Sequence, residues 1–344
     1  MFENASRTEI SSLGEFGLIQ HLTKNFTLKN NTLKGVGDDA AVITPTEGHK
    51  TVVSTDLLVE GVHFDLSYFP MKHLGYKAVV VNLSDIYAMN ATPKQITISL
   101  AMSSRFSLEA VEELYTGIQL ACEHYQVDLI GGDTSSSKQG LMISVTAIGE
   151  AKEEALAYRS GAKENELLVV SGDLGGAYCG YQLLEREKRV YLDNPSVQPD
   201  LVGFDYIIER QLKPEARKDI IEILKNLNIQ PTSMMDVSDG LASECFHLAK
   251  ASGVGITLYE EKIPIDPSTY NFARELDLDP TLCALSGGED YELLFTIKQE
   301  DFSKLEHHAD FSIIGFVNEA AAGMHMISKG GNKHPLQAQG WTAF

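Results

Sequence analysis

ELLVVSGDLGGAYCGYQLLERE, residues 166–187, runs an apolar segment into a glycine-rich turn and then into a helical pattern. A short apolar run bounded by a turn reads as a buried-type strand, and the glycines allow the tight reversal into the helix. A strand–turn–helix unit of this kind, repeated along a chain, makes an α/β fold. Its neighbours repeat it. Downstream come a charged helix near 214–228, the turn MMDVSDG (234–240), a helix at about 240–252, a strand at 255–259 and another beginning in ELLFTI (292–297). Upstream, 150–166 is charged and contains glycine, and it reads as the crossing between two domains, 1–150 and 151–344. The first domain shows helical patterns at 14–24, 71–90 and 107–124 and strand patterns at 51–54, 95–102 and 140–149. Within 71–90, Ala78, Asn82 and Asp85 fall on one helix face. The expected architecture is two domains of α/β (α+β) class, each a sheet backed by helices, with no 20–50-residue repeat and no low-complexity tract.

Composition agrees with that size. A chain of 344 residues that is 43% hydrophobic can bury a large core. Forty-eight acidic residues against 28 basic ones give a formal charge of −20, which argues against nucleic-acid and anionic-membrane partners. Cys122, Cys179, Cys245 and Cys283 are widely spaced with no CxxC pair, so neither a disulfide scaffold nor a zinc knuckle is expected. The N-terminal MFENASRTEISSLGEFGLIQ lacks the basic and apolar regions of a signal peptide. No run of about 18 apolar residues occurs. A cytoplasmic protein without a membrane partner is the expectation.

The acids are the informative residues. MMDVSDG places Asp236 and Asp239 three residues apart, and paired carboxylates repel unless a cation, an arginine or backbone N–H groups compensate them. Five further segments set Asp or Glu beside Gly, Ser or Asn: GVGDDAAVI (35–43), STDLLVEGVHF (54–64), VNLSDIYAM (81–89), LIGGDTSSS (129–137) and ALSGGEDYELLF (284–295). Taken singly, each acid reads as a turn residue or helix cap. Together they offer many oxygen ligands with small neighbours, a set that suits a hard divalent cation such as Mg²⁺. The chain has no GxxxxGK[ST] phosphate loop, and GVGDDA fails the GxGxxG fingerprint. A carboxylate about 4 Å from a phosphate costs about 4 kcal/mol at an effective dielectric of about 20, so divalent ions must separate such acids from a polyphosphate. Asp236 and Asp239 are therefore expected to face magnesium, with nucleotide phosphates beyond it.

In this order, the motifs GEFGLI, GDD, STDxLVEGVHF, GYKAxxxNLSDxxAM, IGGDT, RSGAK, DxSDG, LSGGEDYELLF and the terminal GWxxF closely resemble the thiamine-monophosphate kinase family, within the aminoimidazole ribonucleotide synthetase-like superfamily. The likeness runs from residue 14 to the C-terminus. It implies an N-terminal α/β domain that binds ATP and Mg²⁺ and pairs into a barrel across a homodimer, with a C-terminal α/β domain completing the site. The implied reaction converts ATP and thiamine phosphate to ADP and thiamine diphosphate. Carried over by motif, the metal ligands are Asp39, Ser54, Thr55, Asp56, Asp85, Asp133, Asp236 and Asp239, the last two being the catalytic pair. Tyr115, Gly132, Asp133, Arg159 and Ser238 fall on ATP, and His63, Glu289 and Trp341 on the thiamine moiety. The chemistry is consistent with this. A phosphate monoester is already largely dianionic at neutral pH and needs no general base, so direct transfer without a phosphoenzyme is expected. Other readings are another ATP-using synthetase of the superfamily, or a non-catalytic divalent-cation module. Trp341 also reads as an apolar plug, and His63 as a structural hydrogen-bonding histidine. Asp38 and Asp290, each beside a stronger candidate, read as caps or supporting groups.

Overall fold

The structure is a computed structural model and describes residues 8–9 and 12–338. Two compact units emerge from the packing: residues up to 86 together with 91–154, and residues 87–90 together with 155 onward.

The first unit contains α1 (Gly14–Thr23), β1 (Thr32–Lys34), β2 (Val42–Ile43), β3 (His49–Val59), α2 (Met71–Ala88, its end counted with the second unit), β4 (Thr92–Met102), α3 (Leu108–Tyr125), β5 (Asp128–Ser136) and β6 (Leu141–Lys152). β1 and β2 pair with each other, and the remaining strands form an open sheet in the order β3-β6-β4-β5, antiparallel except for β4 with β5. Side chains alternate across it as a pleated strand requires. Ile96, Ile98, Leu100, Ile143, Val145 and Ala147 are buried, whereas Val53, Leu57 and Met142 on the other face are exposed. α2 covers the buried face, and a Cβ at Gly149 of β6 would lie 2.4 Å from Cγ2 of Ile86.

α2 and α3 touch backbone to backbone. A Cβ on Gly75 would stand 1.9 Å from the Leu114 carbonyl oxygen, and one on Gly117 would stand 1.8 Å from that of Lys72. The paired glycines set the interhelical distance, so Gly117→Ala has to push the helices apart. The alanine gains about 1 kcal/mol of helix propensity, but overpacking costs about 1–3 kcal/mol and more where the neighbour is backbone. Because the atom met is backbone, the upper end of that cost applies, and urea unfolding is expected to show a net loss of about 2 kcal/mol. A stabilised variant would refute the contact.

The second unit contains β7 (Leu167–Ser171), α4 (Gly176–Asp193), α5 (Asp205–Leu212), α6 (Lys218–Asn226), β8 (Ser233–Asp236), α7 (Leu241–Ser252), β9 (Gly255–Tyr259), α8 (Pro267–Glu275), α9 (Pro280–Ser286), β10 (Leu293–Ile297), α10 (Phe302–Leu305), β11 (Phe311–Asn318), β12 (Met324–Ile327) and β13 (Lys333–Pro335). Its sheet runs β13-β12-β9-β11-β7-β10-β8 and is antiparallel except for β9 with β12. Mixed α and β layering is therefore right for both units, and the mainly antiparallel pairing puts both sheets on the α+β side of that expectation. β7 does run through a turn into α4, and its alternate residues enter different cores: Leu168 and Val170 pack with α7, and Val169 with α6. The four cysteines are buried free thiols. Among the described residues no helix is long and apolar enough to cross a membrane.

Candidate active site

In the first unit, strand alternation and helix periodicity bring three oxygen-bearing side chains together. Ser54 and Asp56 are two apart on β3 and project from the same face, toward α2. The Ser54 hydroxyl donates to Oδ2 of Asp85 in a short hydrogen bond, and the Asp56 N–H donates to Oδ1 of Asn82 at 2.9 Å. The Asn82 amide in turn donates to the Ala78 carbonyl at 3.1 Å, so the expected 78/82/85 face is the one laid on β3. Burial, and then the nearby Asp85 charge, push the Asp56 carboxyl up to about 6. Burial and the like charge beside it thus both disfavour the ionised form of Asp56.

Thr55, between them, points to the opposite face. Its hydroxyl donates to the Val145 carbonyl at 3.0 Å and accepts from Thr146 at 3.0 Å. Asp39 is exposed in the turn between β1 and β2, and Asp133 is exposed on edge strand β5, in register with Ser99. Among the described residues, no three or more His, Cys, Asp or Glu side chains form a ready-made metal cluster. Gly132 lies against β4 so closely that a Cβ would come 1.8 Å from the Ile98 carbonyl oxygen. Tyr115 is half-buried on α3, edge-on to Phe26 at 6.4 Å. The His63 ring accepts the Val59 N–H on Nδ1 at 3.1 Å, which leaves the ring proton on Nε2.

In the second unit, MMDVSDG runs from strand to helix as expected. Asp236 is the last residue of β8 and is buried. In the turn after it, the N–H groups of Ser238 and Asp239 donate to one oxygen of buried Glu244, at 3.0 and 2.8 Å. Burial pushes the Glu244 carboxyl up to about 7. Asp239 is also raised by burial, and the opposing pull comes from His247 and Arg159, which places Arg159 within electrostatic reach of it. The SGGED loop lies alongside: Glu289 N–H donates to the Ser238 carbonyl at 2.7 Å, and Tyr291 N–H to that of Val237 at 2.9 Å. Trp341 lies outside the described residues.

Beneath that loop is a charged network that sequence reasoning misses apart from Asp290. Both oxygens of Asp290 accept N–H groups at the start of α4, from Gly175 at 2.7 Å and Ala177 at 3.2 Å, so this acid is a helix cap. Arg210 of α5 donates to Glu292 at 3.0 Å, to the Asp173 carbonyl at 2.9 Å and to the Asp290 carbonyl at 3.3 Å. Arg217 makes a short bond to the other Glu292 oxygen and also pairs with Asp219. Asp173 and Glu292 stand within the quoted motifs. Nothing marks Arg210, Gln211 and Glu244, whose helices carry ordinary amphipathic patterns, or Arg217, just before α6.

Residues 37–151 match the family described as "AIR synthase related protein, N-terminal domain", which gives the class of that part of the chain. Over 337 residues the chain is 34% identical to the thiamine-monophosphate kinase of Bacillus subtilis (strain 168), covering 96% of this chain and all of that one. It is 36% identical over 337 residues to that of Aquifex aeolicus (strain VF5), covering 97% and 99%. In structure it matches AaThiL complexed with AMPPCP and TMP over the whole of both chains, with a TM-score of 0.74 and 33% identity. The chain belongs to the thiamine-monophosphate kinase family.

Proposed function

We propose that this protein transfers the γ-phosphoryl group of ATP directly to the phosphate of thiamine monophosphate, the last step in making thiamine diphosphate, and that it does so in the cytoplasm. The observation that carries the reading is the Ser54–Asp56–Asp85 group. It is an all-oxygen set in which the Asp56 carboxyl is pushed up to about 6 by burial and by its neighbour, in a chain of this family. Such a set fits a hard dication, which would relieve the repulsion. Asp56, Asp85 and Ser54 would hold Mg²⁺, with Asp39, Asp133, Asp236 and Asp239 serving further ions. The Thr55 hydroxyl is engaged on the other face and does not join them. When bound, Mg²⁺ lowers the repulsion between donor and acceptor phosphates.

The chain's own residues do the rest. Arg159 offers a cation beside Asp239, and Ser238, Gly132, Asp133 and Tyr115 are assigned to the nucleotide. Glu289 supplies a carboxylate to the cationic thiazolium, and His63 an Nε2–H to the substrate, with Trp341 as the aromatic partner. Because the acceptor phosphate is already anionic, no residue is needed as a general base. Two copies are proposed to pair through the open sheet of the first unit. Its edges are β3 and β5, and it leaves Val53 62% and Leu57 53% exposed, more apolar surface than a lone sheet face usually shows.

ADP release from Mg-ATP is expected to depend on thiamine monophosphate, and radiolabelled ATP is expected to leave no label on the protein. Release without thiamine monophosphate, or a trapped phosphoprotein, would count against direct transfer. No release at all would favour a divalent-cation module.

A further inference from the structure

Glu289 sits in an unusual backbone. Its φ is +58° and that of Tyr291 is +52°, so two non-glycine residues flank Asp290 in the left-handed region. Each such residue costs on the order of 1 kcal/mol and persists only where its surroundings over-determine it. Here the surroundings are identifiable. Asp290 is pinned to the start of α4, Arg210 holds its carbonyl, and the Glu289 N–H is bonded to Ser238. All of these contacts fix backbone or neighbouring residues. The Glu289 side chain is oriented by a different group: Nε2 of Gln211, the residue after Arg210 on α5, donates to Oε2 of Glu289 at 3.0 Å. Gln211 is itself only 4% exposed, so its side chain has little solvent around it.

We propose that Gln211 is a positioning residue that aims the Glu289 carboxylate at the substrate's cationic ring and thereby sets affinity for thiamine monophosphate. This rests on the reading of Glu289 as the thiazolium partner. A neutral donor suits the task better than a cation. Arginine or lysine in that place would neutralise Glu289 and compete with the ring for it, whereas an amide fixes one oxygen and leaves the negative charge in place. α5 therefore has two functions in adjacent residues: Arg210 sets the loop's backbone, and Gln211 sets its acidic side chain.

A double-mutant cycle on the full-length chain tests this, with KM for thiamine monophosphate and KM for ATP measured separately. Glu289→Gln is expected to raise KM for thiamine monophosphate about tenfold, the effect of losing one charge-assisted contact. Gln211→Met, of similar volume but without the donor, is expected to raise it about fivefold with KM for ATP changed by less than about twofold. Adding Gln211→Met to Glu289→Gln is expected to have no further effect. If the two effects multiply, or if both KM values rise together, Gln211 is structural only and the proposal falls. A silent Gln211→Met beside an impaired Glu289→Gln overturns the proposal alone, whereas a silent Glu289→Gln overturns the reading of Glu289 as well. Gln211→Ala, taken through the same cycle, decides the matter if Gln211→Met does not fold.

Discussion

Asp85→Asn is expected to lower kcat by about a thousandfold, corresponding to about 4 kcal/mol of lost transition-state stabilisation, while making the metal-free protein more stable at neutral pH. Both effects follow from one charge. Asp85 accepts the Ser54 hydroxyl and helps raise the Asp56 carboxyl to about 6. Because that folded value lies above the unfolded one of about 3.9, the stabilising contribution of Asp56 is fully present below pH about 4 and is lost as pH rises through about 6. The neutral amide removes part of the repulsion, so the variant should gain on the order of 1 kcal/mol at pH 7 after allowing for solvent screening, and little at pH 4. Added Mg²⁺ reverses the comparison. Binding to the native state would stabilise the wild type by mass action, and the variant would lack one of the proposed ligands. Melting curves in chelator and in excess Mg²⁺, at about pH 4.5 and pH 7, separate the two terms. An Asp85→Asn variant within about tenfold of wild-type kcat, or one that melts with the same Mg²⁺ increment as wild type, would remove the pair from the site.

What is legible in the sequence is whatever depends on local periodicity. The 78/82/85 face follows from helix spacing, and the structure lays it against β3 through Asn82 and Asp85. Alternation along β3 is equally available, but a strand pattern that stops at residue 54 groups Thr55 with Ser54 and Asp56, although Thr55 points to the other face. LIGGDTSSS reads as a boundary because Gly and Asp are poor strand formers. It is a strand because β4 pairs with it at a separation that Gly132, lacking a Cβ, can tolerate. Arg210, Gln211 and Arg217 leave no local signal at all. Their partners lie 82, 78 and 75 residues away, and only the tertiary fold puts them beside the SGGEDYE segment. Asp290 is the intermediate case: its acidity is visible and its role as a supporting group is expected, but the helix it caps begins far upstream, at Gly176, and the N–H it accepts from Gly175 is 115 residues away.

Arg210→Met is expected to cost about 3–5 kcal/mol of stability, and more in alkaline than in acid solution. The guanidinium is 16% exposed and lies between carboxylates that are fully buried or nearly so: Asp290 at 0% and Glu292 at 1%. Such a cluster adds little net stability over an apolar core of the same shape, but removing one partner leaves charge buried without compensation, which is where the loss arises. Glu292 keeps Arg217 and Ser171. Among the described residues Asp290 keeps two backbone N–H groups, so the consequence falls mainly on it. Burial already pushes the Asp290 carboxyl up to about 7, and Arg210 is the largest influence pulling it down. Without Arg210 the folded value rises further above the unfolded one, so the contribution present in acid is lost over a wider range as pH increases. The gap between variant and wild type should therefore be smaller at about pH 5.5, where Asp290 is largely protonated in both, than at about pH 8.5, where only the wild type supports its ionised form. Arg210→Lys restores a charge but not the fork that also reaches the Asp173 and Asp290 carbonyls, and should fall between the two. Denaturant titrations of the three proteins at both pH values measure this. A gap that is independent of pH, or below about 1 kcal/mol, would mean that Asp290 does not depend on Arg210. The strained Glu289–Tyr291 backbone would then have to be held by the α4 cap and the Ser238 and Val237 carbonyls alone.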